Sequence, residues 1–231
     1  MSWEQLDFAN AWVDVFKRDP RDAYSRNFQK FLVEVNSGLE FLDTINPISN
    51  KNGAAMRSAV FGVLDNPSEV FRVTTSQAEI THNTVGGLFG AQAVALMSHY
   101  ALHLDYPMDR MHLAGYLRGH LYPIIGAHEP LSNVFLEPWE GRVAGEEIGI
   151  ITAKATFELL ISCNSLRQIL QKTIERGGDT DSVAAIALGI ASSRMIDDLP
   201  PFMHNRLEVG SKYGSEFLKD LGARLMRKFS R

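Results

Sequence analysis

The chain has 231 residues, 45% apolar and 22% charged, enough for one well-buried domain and short for two. Its formal net charge of -4 offers no general basic field for gripping nucleic acid, so no nucleic-acid partner is expected. No apolar run approaches the roughly 20 residues of a membrane span, and the opening Met-Ser-Trp-Glu-Gln lacks the cationic-then-apolar order of a signal peptide, so no membrane association is expected.

Leu6, Phe8, Ala9, Trp12, Val13 and Phe16 recur at spacings of three and four, which predicts a helix ending at Lys17-Arg18-Asp19-Pro20. Phe28, Phe31, Leu32 and Val35 predict a second, closed near Gly38. The polar run 43–52, with Pro47, reads as an ordered loop. Further helices are expected over 53–64, 67–81 and 87–104, the last rich in small residues that allow close packing. The stretch that begins at Pro107-Met108 is assigned no element, and 122–141, with three prolines, reads as a long surface excursion. Strong helices follow over 146–161, 165–174 and 183–193. Then come a break at Pro200-Pro201 and an amphipathic helix over 216–229. Strand alternation, repeats and low-complexity tracts are absent from the sequence, so the expected fold is one compact all-α domain spanning 1–231. Cys163, the only cysteine, reads as a buried thiol and points to a reducing, cytoplasmic setting.

The run Arg176-Gly177-Gly178-Asp179-Thr180-Asp181-Ser182 carries the most chemistry. It sets two carboxylates and two hydroxyls behind a glycine pair and ahead of a helix of small apolar residues expected to be buried on all sides. Hard oxygen donors at that density suit Mg²⁺ or Ca²⁺. Two carboxylates at the mouth of a buried helix are costly unless a cation or hydrogen bonds compensate. Capping of the helix by Asp179 or Thr180 is the plainer alternative.

Three other segments are candidates. In Ser49-Asn50-Lys51-Asn52-Gly53-Ala54-Ala55-Met56-Arg57 a polar loop feeds a small-residue helix start, which can hold a phosphate or ribose or simply be a capped helix. His82, in Thr81-His82-Asn83-Thr84, stands at a helix junction, where a histidine serves either structure or function. His99-x-x-x-His103 puts two rings on one helical face. Tyr100 stands where the zinc-protease motif has glutamate, so two surface histidines are expected there.

In their order these segments resemble the ADP-ribosylglycohydrolase family, the group related to dinitrogenase-reductase-activating glycohydrolase. The resemblance is carried by Asn52-Gly53-Ala54-Ala55-Met56-Arg57, Thr81-His82 and Gly177-Gly178-Asp179-Thr180-Asp181-Ser182, and it covers most of the chain. It implies an all-α fold, hydrolysis of the bond joining ADP-ribose to a side chain or small group, and Mg²⁺ as cofactor. By the same resemblance Asp179, Asp181 and Ser182 are metal ligands, Ser182 standing where many relatives have threonine. Ser49, Asn50, Lys51, Asn52, Gly53, His82, Gly177 and Gly178 line the ADP-ribose site. Family members also carry an early Gly-Asp pair and a Thr-Asp-Asp-Thr metal motif, which this sequence lacks; its opening resembles family sequence lying after them. The expectation is therefore a shortened domain with one weak Mg²⁺ site in place of two. A binding or regulatory role without turnover is the alternative, and self-association or a partner chain over the missing segment is expected.

Overall fold

The computed structural model describes residues 4–128 and 131–229. Every strong apolar periodicity forms a helix. In chain order these are α1 (Gln5–Arg18), α2 (Arg26–Glu34), α3 (Gly38–Thr44), α4 (Gly53–Met56), a 3-10 turn (Ala59–Val63), α5 (Pro67–His82) and α6 (Val85–His103). There follow α7 (Arg110–Ile125), α8 (Ile148–Ser162), α9 (Leu166–Arg176), α10 (Thr180–Ala191), α11 (Pro201–Asn205) and α12 (Ser215–Phe229). Among the described residues β pairing is confined to three isolated bridges: Ile48 with His82, Val143 with Gly178, and Ser165 with Ile196. The class is all-α.

Helix α6 is the axis. It is 19 residues long and apolar enough to cross a membrane by length and composition, which corrects the reading that no apolar run comes close. Its side chains are instead taken up by the fold: α4, α5, the 3-10 turn, α7 and α8 all pack on it, and 83% of its apolar window is buried. Small residues let these neighbours approach. A Cβ at Gly90 would stand 2.6 Å from Gly149 O, so α6 and the start of α8 meet backbone to backbone. That contact brings the loop before α4 and the start of α8 to one place.

Several expectations need correction. Gly38 opens α3 and does not close α2, because Ser37 caps the new helix through Glu40 N. The expected helix over 53–64 is split into α4 and the 3-10 turn. The excursion begins only after α7, which tolerates Pro123 in its last turn, and it is partly core. Phe135 is buried between Phe89 and Phe157, with ring centroids 5.7 and 4.8 Å away. Arg110 anchors the same segment. It donates through Nη1 to the carbonyls of Phe135 and Glu137, and its Nη2 donates to both carboxylate oxygens of buried Glu158, at 2.8 and 2.7 Å.

His99 is buried, not a surface residue. Its ring stacks 4.7 Å from His103, accepts or donates at Tyr116 Oη, and reaches Asp65 O. Helix α10 buries one side, through Val183, Ile186, Ala187, Ile190 and Ala191, while Ala185 and Gly189 are exposed. Its small side chains reflect a close approach to α8 and α9 on that side only. Cys163 is buried as expected.

Candidate functional site

Two segments 127 positions apart in sequence meet here. The first is the loop between α3 and α4. The bond from Asn83 N to Pro47 O (2.7 Å) and that from Thr84 Oγ1 to Ser49 O (2.9 Å) tie it to the junction of α5 and α6. Gly149 N donates to Asn50 O at 3.2 Å and ties it to α8. Ser49 Oγ accepts from Lys51 N, Lys51 is exposed, and Asn52 turns inward and is buried.

The second segment is the glycine turn between α9 and α10. Gly177 and Gly178 have φ of 66° and 86°, conformations that disfavour any side chain. The turn is zipped to the excursion: Val143 N donates to Gly177 O at 3.1 Å, and Asp179 N donates to Val143 O at 2.8 Å. Asp179 thereby takes the N-cap position of α10 with its carboxylate aimed at the loop. Asn52 Nδ2 donates to Asp179 Oδ2 at 2.6 Å and to Thr152 Oγ1 on α8 at 3.1 Å. Asn52, Thr152 and Asp179 are the joint between the two motifs.

The remaining predicted residues are arranged around that joint. Ser182 is buried, and its hydroxyl lies 3.4 Å from Met56 Sδ on α4. Asp181 is exposed, one position into the first turn of α10. His82 is buried beside Gly53: a Cβ there would be 3.2 Å from both Cε1 and Nε2 of the ring. Two open hollows of about 310 and 640 Å³ are lined by residues between Gly189 and Lys219 and take none from this joint.

A family model described as ADP-ribosylglycohydrolase matches residues 2–231. The chain belongs to the ADP-ribosylglycohydrolase family. No match was found among curated proteins. A solved structure titled "ADP-ribosylglycohydrolase-related protein complex" superposes with a TM-score of 0.70 at 17% identity. The match covers 97% of this chain and 74% of the other, a likeness of fold.

In this ADP-ribosylglycohydrolase-family chain the charge state of the site follows from its neighbours. Burial opposes ionisation of Asp179, but hydrogen bonds from Asn52 and from nearby Ser182 outweigh it and hold the carboxyl below the usual range. Burial, aided by Arg57, pushes His82 from 6.5 down to about 4, so the ring is neutral at pH 7. Among the described residues no three His, Cys, Asp or Glu side chains gather to hold a metal. One Asp179 oxygen is engaged by Asn52, Asp181 faces solvent, and Ser182 must turn from Met56 to serve as a ligand. Two carboxylates and a hydroxyl are too few protein donors for a pair of Mg²⁺ ions, and a single ion here would keep most of its waters.

Thr152, Val143 and Arg57 complete the arrangement. Arg57 closed the first motif without a role of its own, and neither Thr152 nor Val143 carries a sequence signal beyond its place in an apolar segment.

Acid should weaken the fold through these histidines. His82, His99 and His120 are all lowered by burial, so the unfolded chain binds protons more readily than the folded one below about pH 6.5. Stability should be flat above pH 7 and fall as pH drops from 6.5 towards 4. With a folded value of about 4, His82 alone accounts for about 2 kcal/mol by pH 5. Urea denaturation at pH 7.5 and pH 5 measures this. His82→Asn, which keeps an acceptor where Nδ1 stands, should remove its share of the difference.

Proposed function

We propose that this chain is a hydrolase-family domain that takes an ADP-ribosyl group at the joint of Asn52 and Asp179, with His82 nearby against Gly53. The observation that supports it is the 2.6 Å contact between Asn52 Nδ2 and Asp179 Oδ2, which joins the polar loop to the acidic turn. Both are the segments that the family resemblance assigns to ligand and metal.

In this reading Asp179 and Asp181 hold one Mg²⁺, with Ser182 as a third donor once its hydroxyl swings from Met56. When bound, the ion supplies charge that orients ribose hydroxyls and activates water. The protein's own groups do the rest. Asn52, itself fixed by Thr152, keeps the Asp179 carboxylate ionised and aimed inward. The two aspartates offset the charge of the bound ion, so the site would set no net positive charge beside the cationic, oxocarbenium-like state in which a glycosidic bond breaks. Exposed Lys51 and the backbone amides after Asn52 suit an anionic diphosphate. A cytoplasmic setting belongs to the same proposal, resting on the lone, buried Cys163.

One observation favours a second reading, binding without turnover. Among the described residues no third acidic side chain joins Asp179 and Asp181, whereas general acid–base work on a glycoside commonly uses separate carboxyl groups. One experiment separates the two. The protein is incubated with Mg²⁺ and ADP-ribosyl-arginine, ADP-ribosyl-serine or O-acetyl-ADP-ribose. Released ADP-ribose establishes hydrolysis. Calorimetric binding of ADP-ribose with no release establishes the binding role, and the absence of both removes the ADP-ribosyl group from consideration.

A further inference from the structure

The imidazole of His82 is held at one edge by a directed chain of hydrogen bonds. Arg57 starts it. Its guanidinium lies over the half-buried Trp12 ring, 4.4 Å from the centroid, and Nε donates to Gln77 Oε1 at 2.6 Å. Gln77 in turn donates to Ser58 Oγ, and Ser58 to Ala54 O, so the Gln77 amide has a defined orientation. From this clamp Arg57 Nη2 donates to Thr81 Oγ1 at 2.7 Å. Thr81 Oγ1 lies 2.6 Å from His82 Nδ1.

A guanidinium only donates, and a hydroxyl has one proton to give. With Arg57 on a lone pair of Thr81, the acceptor within reach of the Thr81 proton is His82 Nδ1. The opposite arrangement, Nδ1–H pointing at Thr81, leaves a buried O–H proton unpaired and aims an N–H dipole at the Arg57 charge. We infer that Arg57, acting through Thr81, is a positioning residue that holds His82 as the Nε2–H tautomer, so that His82 meets a ligand as a hydrogen-bond donor and not as a general base. The free edge of the ring faces Gly53 at the start of α4. A donor fixed there suits an acceptor oxygen of the ADP-ribosyl group, and that half of the inference rests on the function proposed above. The low proton affinity of the ring agrees with a neutral donor.

The test reads the proton itself. In the ¹⁵N-histidine-labelled full chain at pH 7, the Nδ1 resonance of His82 should be pyridine-like and Nε2 pyrrole-like. Arg57→Met and Thr81→Val should shift the ring towards the other tautomer, and Arg57→Lys, which can still donate to Thr81, should restore it. ADP-ribose affinity should fall about tenfold in Arg57→Met and recover in Arg57→Lys, the effect of one lost oriented hydrogen bond. A wild-type ring protonated at Nδ1, or charged at pH 7, overturns the inference, as does an unaltered tautomer in both variants. If Arg57→Met does not fold, the wild-type and Thr81→Val spectra decide. The expected tautomer without ADP-ribose binding upholds the role of Arg57 and removes only the proposed ligand.

Discussion

Gly178→Ala is expected to destabilise the protein by at least about 3 kcal/mol, the most damaging single methyl that can be added to the site. The residue sits at φ +86°, where an L side chain is strained, and its Cβ would overlap the Val143 carbonyl oxygen. Backbone, unlike a flexible side chain, cannot swing aside. Relief would require opening the bonds from Val143 N to Gly177 O and from Asp179 N to Val143 O, leaving the backbone groups of buried Val143 unpaired. Urea denaturation gives the loss directly. Gly189→Ala is the matched comparison. It lies inside α10 with open space around its Cβ, so alanine should leave stability unchanged or raise it by up to about 1 kcal/mol. Equal stabilities for the two variants would mean that the strap at Val143 does not pin the acidic turn.

The fold was legible wherever period and burial agree. Helices α1, α5, α6, α8 and α9 each carry an apolar pattern that their packing uses. Gly38 misled because glycine stands at helix starts as well as ends. Ser37 with Glu40 was the available signal, a serine followed three residues later by glutamate. His99 misled because nothing local announces that the 3-10 turn will cover it. At the site, Asn52, His82 and Asp179 each stood out by residue type and neighbours. Their meeting did not, since a contact across 127 positions is set by the packing of α4, α8 and α10. Thr152, which holds Asn52 from behind, looks like any threonine in an apolar helix.

The contact between Asn52 and Asp179 should carry about 1.5–3 kcal/mol of coupling, the range for a hydrogen bond to a charged group. Asn52→Ala leaves Asp179 with a desolvated carboxylate and Thr152 without its partner, so it should cost more than a surface change. Asp179→Ala leaves the Asn52 amide half-satisfied. The double variant should lose less than the sum of the two. Because Asp179 is held below the usual carboxyl range, the coupling should persist at pH 5 and be lost as pH falls through its folded value. Asp181 separates structure from ligand binding. It is exposed, so Asp181→Ala should change stability by no more than about 0.5 kcal/mol without metal. If Asp181 and Asp179 together hold Mg²⁺, the same substitution should abolish any rise in melting temperature that Mg²⁺ produces, since a ligand stabilises only the state that binds it. A Mg²⁺-dependent rise that survives in both Asp179→Ala and Asp181→Ala would make the acidic turn a helix cap and nothing more.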